Sequence, residues 1–270
     1  MSLLSDLSIV IPTIGRSIDI NSTISYLNKG LNKPKSIILV IPKAELMNLK
    51  IYSFKNLTIL AVNKYGQVNQ RNIGLKHSKT KFTLQLDDDC KIDQKSLIKL
   101  KEVLLKYGKK SCVGPVFFTN HNSPLHKYEN KLSIELLCLI FGLPSGLKKM
   151  GKTNYKNLNI GIDPYLLKDE IVEVQWIPGG CKMMYTDELI SHNYFKFQGK
   201  AYYEDIIHSK ILRKNKIKMF IAKNSICKTD TVNFSYAEIP YIKNIVRQNF
   251  GKKYFQYLMW YFLVLLKKSI

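Results

Sequence analysis

The chain lacks the features that mark several common protein classes. Its five cysteines are an odd number, and no two of them have Cys-x-x-Cys spacing, so neither a disulfide framework nor a zinc site is predicted. No apolar run reaches the roughly 20 residues that span a bilayer. The first residues have neither the basic start nor the long apolar run of a signal peptide. These absences predict a protein of a reducing, cytoplasmic compartment.

Acidic residues are also scarce. The chain has 20 Asp and Glu against 42 Lys and Arg, which gives a formal net charge of +22. Such an excess indicates anionic partners, such as phosphorylated substrates, acidic membrane lipids or nucleic acid. The lysines are spread along the whole chain, however, and the same composition would follow from an AT-rich genome.

The first half of the chain alternates short apolar runs with helix-compatible segments. Apolar runs occupy residues 7–11, 37–41, 57–62 and 82–86, and helices are expected at 17–28, 67–77 and 94–107. Short buried strands separated by helices predict an α/β fold, Rossmann-like, with a mostly parallel central sheet flanked by helices. Sheets of this kind bind ligands at the carboxyl ends of their strands.

The second half is less regular. Strands are expected at 113–118, at 172–177, where residues 181–185 could continue the strand, and at 217–222. Helical patterns occupy 125–143, 204–215 and the stretch from 238 to the end, and residues 145–165 have the composition of a loop. No linker between independent domains is evident.

Three consecutive aspartates close the fourth apolar run and form the most informative motif. Asp87, Asp88 and Asp89 repel one another and lose hydration where they leave a buried strand. A cation would offset that cost, and a divalent metal bound by oxygen ligands is the usual candidate. The alternative is a solvated acidic turn that also caps the next helix.

A second acidic motif and a basic one accompany the triplet. Glu204 and Asp205 enter a helix-like segment, where acidic residues are also favoured by the helix dipole alone. Arg71 and Asn72 precede the triplet by about one short helix. Arginine suits the binding of a phosphate or a ring edge through several donors, although an exposed polar helix face would look the same.

A glycine pair follows the strand predicted at 172–177. Trp176 is followed, after two residues, by Gly179 and Gly180. Two glycines allow the backbone to approach a ligand closely, and the alternative interpretation is a simple turn.

Taken in order, these segments resemble the family 2 glycosyltransferases, which have the GT-A fold. Residues 7–13 are similar to that family's first strand and nucleotide-contacting loop, and 70–74 to its Arg-Asn-x-Gly segment. Residues 86–89 resemble its metal-binding aspartate motif, and 203–205 its Glu-Asp motif. The resemblance covers about residues 5–230. It implies a catalytic domain at 1–235, with a nucleotide-sugar half at 1–110 and an acceptor half at 111–235.

The resemblance also implies an activity and its residues. It implies inverting transfer of a sugar from a nucleoside diphosphate sugar, UDP-sugar first, to a hydroxyl of a glycan or lipid-linked glycan, in bacterial surface polysaccharide synthesis. Asp205 would be the catalytic base, helped by Glu204, and Mn²⁺ or Mg²⁺ would be held by Asp87 and Asp89. The implied nucleotide contacts are Pro12, Thr13, Arg71, Asn72, Asp87 and Asp88, and the implied substrate contacts are Trp176, Gly179 and Gly180.

The sequence departs from the family pattern after its second strand, near the end of the domain, and in the helical segment 204–211, which lacks the arginine often found there. The second strand ends without the acidic residue that often contacts the base, since Pro42 and Lys43 follow it. A histidine often serves as a further metal ligand near the end of the domain, and here Asp230 would have to replace it. His208 is expected to be a helix-face residue rather than a ligand.

Residues 236–270 are predicted to form a helical extension. Its segment 254–266 is rich in aromatic residues and flanked by lysine pairs, which suits a helix lying on an anionic membrane at the inner face of the cell. Packing on the catalytic domain or on a second subunit is the alternative for this segment.

Two other function classes remain open for the chain as a whole. A metal-dependent nucleotidyltransferase would also use acidic residues on an α/β sheet, but it commonly has a glycine-rich phosphate loop that is lacking here. A basic nucleic-acid-binding protein would fit the charge, but the lysines are diffuse and no recognition motif appears.

Overall fold

The first half of the chain folds as its apolar pattern predicts. The computed structural model describes residues 2–127, 150–153, 161–195 and 201–229, with five helical positions between 240 and 248. Its first strands are β1 (Leu7–Pro12), β2 (Ser36–Pro42), β3 (Leu57–Val62) and β4 (Phe82–Leu86). The helices between and after them are α1 (Ser17–Asn28), a short α2 (Lys43–Leu46), α3 (Gln67–His77) and α4 (Gln94–Tyr107).

The rest of the described chain adds five strands and one α-helix. The strands are β5 (Lys91–Ile92), β6 (Ser111–Thr119), β7 (Ile171–Val174), β8 (Cys181–Tyr185) and β9 (Lys218–Thr229). Helix α5 spans Glu204–Lys214, and two 3₁₀ turns lie at Pro164–Leu166 and Thr186–Glu188. The helix predicted at 125–143, the loop at 145–165 and the C-terminal extension lie wholly or largely outside the described residues.

The nine strands of the described residues form one sheet in the order β3-β2-β1-β4-β8-β6-β9-β5, with β7 paired to β9. The pairs among β3, β2, β1 and β4 are parallel, as is the pair β6–β9. Strand β8 is antiparallel to both β4 and β6. The predicted α/β class with a mostly parallel, helix-flanked sheet is therefore confirmed, with antiparallel strands added in the second half.

Residues 181–185 do not continue the strand before them. β7 pairs antiparallel with β9, whereas β8 lies between β4 and β6. Residues 175–180 separate the two strands, and Pro178 within them has no amide hydrogen for a sheet ladder. β8 thereby carries the glycines to the carboxyl end of β4.

The parallel half of the sheet fixes where a site can form. β1 and β4 are neighbours with Val10 opposite Gln85, so the residues after both strands meet at one edge. Helix α3 packs close to this sheet at Gly74, where a Cβ would collide with the side chains of Val10 and Val40. Glycine at this position brings Arg71, one turn earlier in α3, to the carboxyl end of β4.

Strand β4 has a hydrophobic face and a polar face, both buried. Phe82, Leu84 and Leu86 belong to the main hydrophobic core. Thr83 and Gln85 are also buried and point to the opposite face, since side chains alternate along a strand. Among the described helices, none is long and apolar enough to cross a membrane.

Candidate active site

The aspartate triplet begins directly at the end of β4, and its first two residues are held in place. The backbone amide of Asp87 donates to the carbonyl of Gly180 at 2.8 Å. The carboxylate of Asp88 is buried and accepts from Thr13 Oγ1 at 2.6 Å and from Arg16 at 2.7 Å. Asp88 thus ties the end of β4 to the loop after β1.

Arg71 connects the triplet to the second acidic motif. Its guanidinium donates to Asp87 Oδ1 at 2.5 Å and forms an ion pair with Glu204 Oε1. Arg71 is 2% exposed and Glu204 3%, so the Arg71–Glu204 pair is enclosed by protein. Gln67 also donates to Asp87 Oδ1, at 3.2 Å. One arginine from α3 therefore bridges two carboxylates that come from β4 and α5.

Glu204 is held as a carboxylate. Tyr194 Oη donates to Glu204 Oε2 at 2.6 Å. Burial opposes the charge, but the nearby cations Arg71 and Lys182 outweigh it and lower the pKa of Glu204 to about 2. All of its strong partners favour the ionised form, so Glu204 is suited to holding position rather than to exchanging protons.

Asp205, the next residue, has the opposite electrostatic character. Burial and the negative charge of Glu204 raise the pKa of Asp205 to about 7. Its Oδ1 accepts from the backbone amide of Ile206 at 3.0 Å. A carboxylate with a pKa near neutrality is a suitable general base.

The chain enters α5 through an unusual backbone conformation. Tyr203 has a φ of 63°, in the left-handed region, which is rare for a bulky residue and costs free energy. The turn places both Glu204 and Asp205 in the first turn of α5. The uncommon conformation directly precedes the two carboxylates, and strained backbone of this kind clusters at functional sites.

Asp89 is the member of the triplet whose charge is least compensated. Burial and the carboxylates of Asp87 and Asp88 raise the pKa of Asp89 to about 6. Across the described residues, no group of three or more His, Cys, Asp or Glu is arranged to hold a metal ion. Mg²⁺ and Mn²⁺ are commonly bound by one or two carboxylates with substrate phosphates and water, and the uncompensated charge of Asp89 beside Asp87 fits such a cation.

The same architecture occurs in solved structures of glycosyltransferases. GalNAc-T7, crystallised with UDP, GalNAc and Mn²⁺, has a TM-score of 0.56 and 14% identity over 88% of this chain and 47% of its own. S. aureus TarS 1-349 has a TM-score of 0.51 and 14% identity over 92% and 64%. The mannosyltransferase PcManGT from Pyrobaculum calidifontis, with GDP-Man and Mn²⁺, has a TM-score of 0.55 and 11% identity over 92% and 63%.

The chain has the GT-A fold. It spans about half to two thirds of the length of these three chains. No protein-family model matches the sequence, and no curated protein matches it in sequence comparison. The likeness therefore lies in the arrangement of strands and helices, and the roles of individual residues are argued from the geometry.

The GT-A edge formed by β1 and β2 holds the residues predicted to contact the nucleotide. Pro12 and Thr13 are both buried, and Gln70 of α3 donates to the carbonyls of Thr13 at 2.7 Å and Val40 at 2.8 Å. Asn72 is 9% exposed, and its side-chain oxygen has no hydrogen-bond partner in the described part of the chain. These contacts fix the loop after β1 rather than leave it free.

Two predicted binding residues are buried in the protein. Arg71 faces Asp87 and Glu204, so it serves first as the bridge between them, and its contact with a nucleotide stays a prediction. Trp176 is 2% exposed, with its ring 6.0 Å from that of His126. Its side chain is thus packed in the protein, and its contact with a substrate stays a prediction.

The glycine pair lies between the two acidic motifs, and its role in substrate binding stays a prediction. A Cβ at Gly179 would collide with Glu204 Oε1, and one at Gly180 would lie 3.6 Å from Asp87 Oδ2. The carbonyl of Gly179 accepts from Gln85 at 2.7 Å. The absence of side chains here lets the two acidic motifs approach each other.

Several polar residues of the site escaped the sequence analysis. Arg16 and Gln67 follow Gly15 and Gly66 in loops at the sheet edge, a position that could have marked them. Tyr194, Lys182 and His208 have no local motif. His208, expected on an ordinary helix face, is 4% exposed and lies within hydrogen-bond distance of Lys182. Asp230, the candidate additional metal ligand, lies outside the described residues.

Proposed function

We propose that this protein is an inverting, metal-dependent glycosyltransferase that moves a sugar from a nucleoside diphosphate sugar to a hydroxyl of a glycan or lipid-linked glycan. The observation that carries the proposal is the pair of acidic centres, Asp87–Asp89 and Glu204–Asp205, joined by Arg71 on a GT-A sheet. The donor is expected to be a UDP-sugar and the product a bacterial surface polysaccharide or glycolipid, as the sequence resemblance implies.

The triplet provides the donor side of the site. Asp87 and Asp89 are the residues that would hold Mn²⁺ or Mg²⁺, and the cation would neutralise the negative charge of the departing nucleoside diphosphate. The solved neighbours support a cation of this kind, because GalNAc-T7 and PcManGT were both crystallised with Mn²⁺. The same neighbours carry UDP and GDP-Man, so they support a nucleotide donor without selecting the base.

Asp205 provides the acceptor side. It takes the proton of the acceptor hydroxyl while that oxygen forms its bond to the anomeric carbon, and the bond from that carbon to the diphosphate oxygen breaks. One displacement of this kind inverts the configuration at the anomeric carbon. The raised pKa of Asp205 favours proton uptake near neutral pH, whereas Glu204, fixed by Arg71 and Tyr194, keeps the first turn of α5 in place.

The function is tested first by thermal unfolding with UDP, GDP, ADP, CDP and dTDP, each with and without Mn²⁺. One diphosphate is expected to stabilise the protein in the presence of the metal, by about 2.7 kcal/mol at a concentration of about 100 Kd. Asp89→Asn is expected to remove the metal-dependent part. Asp169→Asn, at an exposed position away from the site, is the matched control and should respond like the wild type.

Turnover tests the catalytic assignment. With the sugar nucleotide that the unfolding panel selects, Asp205→Asn should lower kcat by about 10²–10⁴-fold, the usual contribution of a general base, and leave donor binding nearly intact. If none of the diphosphates stabilises the protein, donor binding is contradicted. If Asp205→Asn turns over at nearly the wild-type rate, Asp205 is not the catalytic base.

A further inference from the structure

A buried lysine and a buried histidine are paired behind the first turn of α5. Lys182 of β8 is 3% exposed, and His208 of α5 is 4% exposed. Lys182 Nζ lies 2.8 Å from His208 Nδ1. Lysine is almost never buried to this degree without a partner, so the pair calls for an explanation beyond packing.

The chemistry of the pair permits only one positive charge. An ammonium can donate to Nδ1 only when that nitrogen carries no proton, and a charged imidazole would face the lysine with a donor instead. Burial and their mutual repulsion lower the pKa of His208, and burial lowers the pKa of Lys182. The two side chains together therefore bind one proton more than their neutral forms do, so the pair has a total charge of +1.

This charge lies near the two carboxylates of α5. His208 follows Asp205 by three positions and Glu204 by four, so it is a neighbour of each of them on the surface of the helix. Lys182 is paired across the sheet with Gln85, on the polar face of β4 that is turned toward the site. The pair therefore connects the first turn of α5 to the sheet, because His208 belongs to the helix and Lys182 belongs to β8.

Lys182 is the cation left available for Asp205. Arg71 is already engaged by Asp87 and Glu204, so its charge is divided between two carboxylates. Within the described part of the chain, no carboxylate lies at ion-pair distance from Lys182, although Glu204 and Asp205 both act on it electrostatically. Its charge acts on Asp205 across space and favours the ionised carboxylate.

We propose that Lys182 is a positioning residue for Asp205, which through its hydrogen bond to His208 fixes one positive charge near the first turn of α5 and so keeps the base ionised. The proposal rests on the proposed function for its catalytic meaning. The charged or titratable groups facing Asp205 and this pair are Glu204 and His208 of α5, Arg71 of α3, Lys182 of β8, Cys112 of β6, and Tyr194 and His192 of the loop before α5.

The test needs no substrate in its first arm. The carboxyl carbon of Asp205 is titrated by ¹³C NMR in the full chain and assigned by its loss in Asp205→Asn. Lys182→Met should raise the midpoint by about one pH unit or more, because it removes a neighbouring opposite charge. Lys182→Gln, which keeps a donor for His208 without the charge, should raise it equally, and Lys182→Arg should leave it near the wild-type value. Lys99→Met, at an exposed position, should cause no shift.

The second arm is turnover. In Lys182→Met and Lys182→Gln the acidic limb of the pH profile of kcat should move upward by the same interval, so that activity lost at pH 7 returns at higher pH, with donor affinity unchanged. A purely structural role would lower activity at every pH without moving the limb. If Lys182→Met does not fold, Lys182→Gln decides.

The two arms separate this proposal from the one it rests on. An unchanged Asp205 midpoint in Lys182→Gln would overturn the role of Lys182, whatever the activity. A shifted midpoint in a protein that binds none of the nucleoside diphosphates with Mn²⁺ would support the electrostatic coupling and overturn the glycosyltransferase assignment alone.

Discussion

The site contains two clusters of adjacent carboxylates, and each combines a carboxylate held by its neighbours with one whose charge is less compensated. In the triplet, Asp88 accepts hydrogen bonds from Thr13 and Arg16, although burial still raises its pKa, and burial together with its acidic neighbours raises the pKa of Asp89 to about 6. In α5, the cations around Glu204 hold its pKa at about 2 despite burial, and burial next to that charge raises the pKa of Asp205 to about 7. Each cluster thus pairs a fixed carboxylate with one available for a cation or a proton.

The two clusters differ in what surrounds them. The triplet is only partly open to solvent: the side chain of Asp87 is 20% exposed and that of Arg16 is 50% exposed, whereas Asp88 is buried. Glu204 is enclosed, and its ion pair with Arg71 has side-chain exposures of 3% and 4%. Water can therefore compensate charge at the triplet, whereas the charges around Glu204 depend on one another. We infer that the α5 cluster, although it has fewer acidic residues, is the more fragile of the two.

Replacing the bridging arginine should produce the largest effect. Arg71→Met leaves two carboxylates, Asp87 and Glu204, without their main cation in a buried setting, and breaking a buried pair in this way costs about 3–5 kcal/mol. Arg16→Met removes a half-exposed partner of the buried Asp88 and should cost less, because solvent reaches Arg16 and Thr13 still donates to Asp88. Urea unfolding followed by circular dichroism measures both.

One result would contradict this comparison between the two arginines. Equal loss of stability in Arg71→Met and Arg16→Met would mean that enclosure does not distinguish the clusters. Arg71→Lys sharpens the result: an ammonium lacks the planar fork that reaches two carboxylates at once, so this variant should be intermediate in stability.

A methyl group at the glycine between the clusters should have the next largest effect. In Gly179→Ala the new Cβ collides with Glu204 Oε1, and overpacking of this kind typically costs about 1–3 kcal/mol. Gly180→Ala is the matched control, because its Cβ would lie 3.1 Å from Cys90 Sγ and 3.6 Å from Asp87 Oδ2, contacts that require only small adjustments.

The unfolding midpoints of both glycine variants measure the loss of stability, and turnover measures the effect on kcat. Gly179→Ala should also reduce kcat, because Glu204 and Asp205 are consecutive and a displaced Glu204 moves the base. A Gly179→Ala protein as stable and as active as Gly180→Ala would show that the close approach at Glu204 is not required.

The order and type of elements in residues 7–107 could be predicted from the sequence, because apolar runs there end at proline or glycine and alternate with helical patterns. The strand pairings of the second half could not be predicted, because its antiparallel strands pair with partners that are distant in the sequence. Residues 172–177 and 181–185 are close in sequence, yet β7 joins β9 and β8 joins β4. No local pattern specifies such a change of partner.

The same limit applies to the site. Asp87, Arg71 and Glu204 each belong to a recognisable motif, but the ion pair between Arg71 and Glu204 joins positions 133 residues apart. Lys182 is a lone polar residue in a buried strand, and only the three-dimensional structure shows that it faces His208. The motifs could therefore be predicted, whereas the contacts between their charged residues and the resulting pKa shifts could not.

The last expected effect is a pH dependence of stability that belongs to the available carboxylates. An acid with a higher pKa in the folded than in the unfolded state binds more protons when folded, so its contribution to stability falls as pH rises between the two values. For Asp205 this window runs from its ordinary pKa of 3.8 to about 7, and for Asp89 from 3.8 to about 6. Glu204, with its lowered pKa of about 2, acts in the opposite sense and only below about pH 4.5.

Melting temperatures of the ligand-free protein between pH 4 and pH 8 measure these windows as differences from the wild type. Asp205→Asn should gain stability relative to the wild type as pH rises to about 7, and Asp89→Asn as it rises to about 6, because neither amide can ionise. Asp169→Asn, at an exposed position, should run parallel to the wild type. A wild-type curve parallel to that of Asp205→Asn would mean that Asp205 ionises in the folded protein as readily as in the unfolded chain, and the two clusters would then no longer share their division into fixed and available carboxylates.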